Sequence, residues 1–544
     1  MKKKLLLLLA MCVCASLSAN DNNSISEEDL FDEISLEEDF SSSDSFVSTK
    51  KENSVIDTRF ELAKDKHYFS LASIYEKRGQ MSYGTLFPQF YWHSQNFSIH
   101  AGLPLRFSIY DSFEQHGEDF ERKRGFVSFY KFIRPKKNDF MSLFDVQRVL
   151  QNMRLASTDL DYVLELSRTK TLSLSKGILV KDLVPNWLYD QDYLFASGHA
   201  NWEVVQLQSF VGPFFKMQMF GANLTTRPFF ALDVPSFIKD MNLDVTYAAD
   251  YNAPNYTKKF RINDEKEVFE LDHEQRMIKR SKGVSQGLAF TFLSSYVPIH
   301  WFGLRPYSSF SQLLLSGIHS KSVSYGAGWH LGNDIDFYLS SNPKSVITLS
   351  TEGRLFSPSY WPSYFDSTYM LDRYSLNQLA SFGPNKNNTK SLFLSNPLNK
   401  NVRLGYLFGL NYSYNDIAYS SIEYENAHSG NNNFIPEMRK LKFFVGAKIL
   451  DRAALSFRYE AYNIKQFNKL FDFDKNRELL SSKCQVKILP FLYADVFAQH
   501  KFGVKDVYSY SEDGDYLKNL HWLSGSGETR SFDFGMGLEL AMQF

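Results

Sequence analysis

Cysteine is almost missing from this chain: 544 residues contain 3, and two of them, Cys12 and Cys14, fall within the first twenty positions. With those two assigned to a leader, Cys484 stands alone and no intramolecular disulfide can form. Cys484 shares a strand face with Val486 and Ile488, which favours packing against apolar neighbours or lipid over reactivity. Long apolar runs are missing too. Beyond the leader nothing approaches the roughly 20 apolar residues of a membrane-crossing helix. Neither sign of charge is in excess. The 60 Lys and Arg against 61 Asp and Glu leave a net charge of −1, which argues against a general nucleic-acid binder. Catalytic and metal templates are absent as well. The nearest approach to G-x-S-x-G, "SGSG" at Ser524–Gly527, lacks the glycine two positions before Ser526. There is no H-E-x-x-H, no C-x-x-C and no phosphate loop, and the ligand-type residues around His273 sit in a solvated run of mixed charge. The expectation is therefore no enzyme, no cofactor and no metal.

What the chain does have is rings: 16% aromatic residues, with 49 Phe and 31 Tyr, at a mean hydropathy of −0.32. Its N-terminus, "MKKKLLLLLAMCVCASLSAN", sets Lys2 to Lys4 before a short apolar core and small residues, the layout of a secretory signal peptide over residues 1–19. Cleavage is expected near Ser18 or Ala19. Neither Cys12 nor Cys14 follows a small residue, as lipid attachment requires. Residues 20 to 49 hold ten acidic residues and no Lys or Arg, among Ser and Asn. Such a composition buries too little apolar surface to offset chain entropy, so 20–66 reads as a disordered acidic linker. Its alternative is a short acidic motif anchored by Leu30, Phe31 and Phe40.

From about residue 67 onward, apolar and polar residues alternate. "FSIHAGLPLRFSI" places Phe97, Ile99, Ala101, Leu103, Leu105, Phe107 and Ile109 on one face, with His100 and Arg106 on the other. "VRLGYLFGLNYSY" sets Val402, Leu404, Tyr406, Phe408 and Leu410 against Arg403 and the glycines. "AALSFRYEAYN" sets Leu455, Phe457 and Tyr459 against Arg458 and Glu460. The C-terminal stretch "SFDFGMGLELAMQF" places Phe532, Phe534, Met536, Leu538, Leu540, Met542 and Phe544 on one face, and Asp533 and Glu539 on the other. Period two with one apolar face is the mark of a strand. In an exported chain, hydrophilic on average and free of membrane helices, it predicts a transmembrane antiparallel β-barrel, since strands in lipid must close on themselves. The mixed-charge stretch Lys258–Lys282 and the aromatic stretch 357–374 read as long exposed loops, and Phe140 to Met153 as a short helix over a rim or an irregular strand.

The ending resembles the C-terminal signal by which bacterial outer-membrane barrels engage the assembly machinery, carried here by Phe534, Met536, Leu538, Leu540, Met542 and Phe544. The usual aromatic third from the end is replaced by Met542. Residues 97 to 231, through "GLPLRFSIYD", "NDFMSLFDVQRVLQNMRL", "LSLSKGILV" and "FGANLTTRPF", resemble an uncharacterised family of large predicted outer-membrane barrel proteins. That resemblance implies a barrel in the outer membrane of a Gram-negative-type, diderm bacterium, with lipid and the assembly machinery as partners, and implies no substrate.

The reading is an all-β protein: a barrel of about 16 strands (14–18) over 67–544. Its candidate lumen lining is His100, Arg106, Arg403, Arg458, Glu460, Asp533 and Glu539. Those residues can form a charged constriction in an aqueous pore, or ion pairs that fill the interior. The first gives a porin for small hydrophilic solutes. The rivals are a non-conducting barrel whose loops 258–282 and 357–374 bind a partner or host surface, and a transporter of hydrophobic compounds. Oligomeric state has no signature in the sequence.

Overall fold

The structure is a computed structural model. It describes residues 67–78, 81–94, 96–103, 105–111, 128–129, 149–159, 161–186, 193–214, 217–257, most of 259–316, 323–341, 344–370, Leu394, 401–415, 417–429, 438–449, most of 452–500, and 532–543. The predicted leader, acidic linker and terminal Phe544 lie outside the described residues.

The described strands run β1 (His67–Arg78), β2 (Met81–His93), β3 (Phe97–Gly102 and Leu105–Asp111), β4 (Ser128–Phe129 and Leu150–Ala156) and β5 (Tyr162–Ser167). They continue as β6 (Phe195–Asn201), β7 (Val205–Gly212), β8 (Met219–Thr226), β9 (Asn242–Thr257) and β10 (Arg280–Leu293 with Tyr296–Ile299). Next come β11 (Phe302–Ser316), β12 (Val323–Ser341), β13 (Lys344–Phe356), β14 (Arg403–Tyr414) and β15 (Ala418–Ser429). The last are β16 (Lys440–Ile449), β17 (Ala453–Tyr462), β18 (Arg477–Leu489), β19 (Leu492–His500) and β20 (Phe532–Gln543). Each pairs antiparallel with the next, and β20 pairs with β1 from Tyr68↔Gln543 to Arg78↔Asp533, so the sheet closes. The sheet has 23 segments, of which three are second pieces of interrupted strands, leaving 20 strands around the ring. The expected number of about 16 is thus corrected. Chain length was a poor guide because several strands are short, such as the six residues of β5.

The helix expected over Phe140–Met153 does not extend past Val149, because Leu150–Ala156 is a strand; Phe140 itself lies outside the described residues. Within Lys258–Lys282 the chain makes small ribbons, Lys259–Ile262 with Lys266–Phe269 and Leu271–Asp272 with Met277–Ile278.

Alternation is realised as sidedness. Along β14 the inward Arg403, Gly405, Leu407 and Gly409 are buried, and the outward Leu404, Tyr406, Phe408 and Leu410 are exposed. On β20, Leu538 is 53% exposed and its neighbour Glu539 only 3%. An outward belt of Leu71, Leu164, Phe290, Phe310, Leu331 and Leu355 continues around the wall. Exposed rings fringe it at one end (Trp92, Tyr162, Trp202, Tyr296, Trp301) and at the other (Tyr251, Tyr325, Phe467). An apolar belt between two aromatic girdles is the surface of a barrel solvated by lipid. The two ends differ in their connections. One end, which holds the start of β1, has tight turns such as 342–343 and 490–491; the other carries the connections 168–194, 258–279 and 357–402.

Candidate functional site in the lumen

The lumen is where this barrel departs from a simple pore. In the β5–β6 connection, Leu172 and Leu183 exchange backbone hydrogen bonds at 2.9 and 2.8 Å, closing a hairpin whose tip is Ser175–Gly177. Leu172, Leu174, Ile178, Leu179, Val180 and Leu183 are all buried. The β13–β14 connection folds inward as well, and every residue from Tyr360 to Met370 is buried. Of the stretch 357–374 read as an exposed aromatic loop, residues 360–370 are therefore interior, and 371–374 lie outside the described residues. The rings of 360–370 fill space beside the hairpin, where apolar surface is removed from water at about 25 cal/mol per Å².

The two connections make one body. Val180–Lys181 pairs in parallel with Phe365–Asp366. The Ser363 N–H donates to the Ile178 carbonyl at 2.8 Å, and the Phe365 N–H to that of Leu179 at 3.0 Å. This plug shares a hydrophobic cluster with the inward Phe195, Phe210, Met219, Ala248, Ala289 and Leu313 of the wall. The wall admits it by being small there. A Cβ added at Gly326 of β12 would lie 2.2 Å from the Ser359 carbonyl oxygen, and one at Gly328 would lie 2.5 Å from the Tyr360 ring.

Charged and polar contacts fix the plug to distant strands. Lys176 pairs with Asp334 of β12 at 2.7 Å, and Ser175 donates to Asp244 of β9. Lys181 lies 2.6 Å from Glu423 and 3.7 Å from Glu425 on β15, and Asp182 lies 2.9 Å from Lys442 on β16. A hairpin rooted between β5 and β6 thus reaches strands ten places further around a ring of 20. From the second connection, Asp366 pairs with Lys440 at 3.0 Å, Ser367 donates to Glu460 at 2.7 Å, and Tyr369 donates to Asp250 at 2.8 Å. Tyr360 meets His330 at 3.0 Å. His330 also contacts Glu352, which takes bonds from Tyr307 and Arg354, and Arg354 bridges to Glu425 at 2.8 Å. Buried ion pairs of this kind add little net stability against an apolar filling, but they specify one arrangement, since a charge left alone there is strongly penalised. Burial alone would lower the pKa of Lys181; the carboxylates of Glu423 and Glu425 outweigh it and hold the pKa above its ordinary value. Burial likewise pushes the Tyr360 phenol above its usual range, keeping it a neutral donor.

The expected lining residues whose side chains are described are spread over β3, β14, β17 and β20. Arg458 and Glu460 are buried partners on β17, and Glu460 receives Ser367 and Tyr462. Arg403 is buried on β14, with Nη1 3.8 Å from the Met438 sulfur. Glu539 is buried on the inward face of β20, in register with Ala72 and Tyr493. His100 is partly exposed and bonds Gln89 at 2.9 Å. Arg106 stands in register with Thr85 and Asp533 with Gln499; their side chains lie outside the described ones. Phe534, Met536, Leu538, Leu540 and Met542 all face outward and are exposed.

Sequence reading missed the residues that hold the plug, although "GILVKDLV" carries a signal: a Lys–Asp pair inside an apolar run must be buried with partners. Away from the plug anchors, the wall from β18 through β20 to β5 turns half-exposed polar residues inward, including Gln89, His93, His100, Asn152, Glu165, Lys483 and Asp495. Among the described residues no group of His, Cys, Asp or Glu side chains is arranged to hold a metal ion.

No family model matches the chain, and no curated protein matches it, so the resemblance seen in residues 97–231 gains nothing from either comparison. Solved barrels are similar in outline. OccK11 (OpdR) of Pseudomonas aeruginosa aligns at 8% identity and a TM-score of 0.33, over 88% of this chain and 96% of its own. The FrpB iron transporter of Neisseria meningitidis (F3-3 variant) gives 8% and 0.33 over 88% and 82%, and OccAB3 of Acinetobacter baumannii gives 10% and 0.28 over 88% and 99%. Similarity at this level carries no argument about function, which rests on the geometry of this chain.

Proposed function

We propose that this protein is an outer-membrane channel for small hydrophilic solutes, with a bore narrowed by the two-loop plug. The observation that carries this reading is the division of the inner wall. One sector, from β6 to β17, is covered by the plug, whereas the sector from β18 to β5 carries inward half-exposed polar side chains such as His100, Glu165, Lys483 and Asp495 beside the buried Ser70, Gln485, Tyr493 and Glu539. Wide barrels leave an aqueous channel unless something fills it, and here the filling is anchored to one side. Short turns at the end bearing the start of β1 and long connections at the other orient the plug loops from the extracellular side, by the usual rule for such barrels. Burial of Tyr360–Met370 weakens the rival reading in which 357–374 binds a host surface.

The test is single-channel recording of the refolded chain in a planar bilayer, with heat-modifiable migration on a gel confirming the folded barrel. Stable open steps, with reversal potentials giving the ion preference, support a passage. Silence from a correctly folded barrel refutes it and leaves a closed barrel whose remaining loops are the surface to study.

A further inference from the structure

The wall strands that hold the plug carry a second set of partners for the same charges. Across the β15–β16 ladder Glu423 stands opposite Lys442 and Glu425 opposite Lys440, and across β16–β17 Lys442 stands opposite Glu460. Opposed residues on one face of an antiparallel pair have Cβ atoms about 4.5–5.5 Å apart, within reach of a Lys–Glu contact. With the plug docked, Glu423, Lys442 and Lys440 are bonded to the loops, while Glu425 is held by Arg354 of β13 at 2.8 Å. Glu423 takes Lys181 at 2.6 Å, Lys442 takes Asp182 at 2.9 Å, and Lys440 takes Asp366 at 3.0 Å. With the plug withdrawn, Lys442 can turn to Glu423 and Lys440 to Glu425, while Lys181 and Asp182, adjacent in sequence, pass together into water. In both arrangements Glu423, Lys440 and Lys442 have an oppositely charged partner within reach.

We infer that β15 and β16 form an ion-pair exchange latch, and that the two loops dock on it and leave it as one body. Coupling follows from the parallel pairing of Val180–Lys181 with Phe365–Asp366 and from the shared cluster of Leu179, Val180, Tyr364 and Phe365. Exchange follows from the register just described. A network with two fully paired states is the kind of element that switches between discrete positions. The inference rests on the channel reading for its purpose, since an undocked plug widens the bore.

The test is amide hydrogen exchange, read by mass spectrometry on the full refolded chain in detergent, with Asp182→Asn and Asp366→Asn compared with the wild type. Each substitution removes one loop carboxylate and leaves the wall untouched. In either variant, segments 172–183 and 360–370 are both expected to exchange about tenfold to a hundredfold faster, the range set by losing one charge-assisted hydrogen bond. The amides of β15 and β16 should keep their rates, because Lys440 and Lys442 recover wall partners. Loosening of the substituted loop alone overturns the single body. Unchanged loops, or loosened β15 and β16, overturn the latch. The variants are independent, so if one fails to fold the other decides. Exchange needs no conduction: coupled loosening in an electrically silent barrel keeps the latch and sinks the channel, and open steps with uncoupled loops do the reverse.

Discussion

Gly326→Leu tests whether the plug is seated as described. Gly326 faces inward on β12, and a Cβ there would meet the Ser359 carbonyl oxygen at 2.2 Å, its carbon at 2.5 Å and the Tyr360 nitrogen at 2.7 Å. All three are backbone atoms, so no flexible side chain can swing aside. The wall or the loop must move. Gly326 is paired to Leu313 within an unbroken ladder, whereas the loop rests on local bonds such as that of the Ser357 N–H to the Ala327 carbonyl at 2.8 Å and on the contact of Tyr360 with His330. The loop should therefore yield. Overpacking a close-fitted site costs about 1–3 kcal/mol, which is roughly a 5- to 150-fold rise in local opening. Amide exchange over 357–370 should accelerate by that factor, with the wall strands unchanged. The control is Gly353→Leu on the outward face of β13, where the nearest atom to an added Cβ is 4.0 Å away, and it should leave the loop as it is. Wild-type protection of 357–370 in a folded Gly326→Leu barrel would refute the seating.

Glu352→Gln removes the carboxylate that Arg354, His330 and Tyr307 share, and should cost about 3–5 kcal/mol, seen as a lower urea midpoint for the refolded barrel. Leu538→Arg puts a charge in the outward belt and should cost about 2–4 kcal/mol if it lies near the membrane midplane, lowering the yield of folding into vesicles; equal yields would contradict the lipid-facing assignment. Because the pKa of Lys181 is raised by Glu423 and Glu425, its contribution to docking is complete below its unfolded value of about 10.4 and fades only as pH rises through the higher folded value. Protection of 172–183, corrected for intrinsic exchange, should hence stay constant from about pH 6 to pH 9; loss within that window would mean that Lys181 is not held charged there.

The strands that were legible in the sequence are those with lipid on one side and polar residues on the other. β14, β17 and β20 alternate cleanly, and their register follows from that pattern. The strand number was not legible, for a reason found in the lumen. β7 and β8 set Phe210 and Met219 toward the plug among the inward Gln206, Gln208, Asn223 and Thr225, and β10 sets Ala289 inward beside Gly287 and Ser285, so the inward faces mix apolar, small and polar residues and the period blurs. The same fact explains the misreading of 357–374. A loop rich in rings reads as surface, yet Tyr360, Trp361, Tyr364 and Phe365 are the filling packed against those wall strands. Arg458 and Glu460 were legible as inward residues from alternation alone. Their partner Ser367, and the pairing of Lys442 with Asp182 across 260 positions, depend on how two loops cross the interior, which no local pattern encodes.

The pairing of β20 with β1 also sets an order of events. Neighbouring strands elsewhere meet across connections that range from a tight turn, as at Ser341↔Lys344, to the loop between Phe356 and Arg403, but the seam joins Tyr68 to Gln543, a separation of 543 − 68 = 475 positions. Chain-closure entropy grows as (3/2)RT ln n, which makes this one contact costlier by about 3 kcal/mol than closing a twelve-residue loop. Pairing of the earlier strands shortens the effective loop and lowers that cost, yet the seam cannot form before β20, the last described strand, is in place. Until that pairing is made the assembling sheet keeps two open edges, each a row of unpaired amides able to take up a foreign strand. Fidelity of folding then depends on how long those edges stay apart, and on whatever occupies them meanwhile.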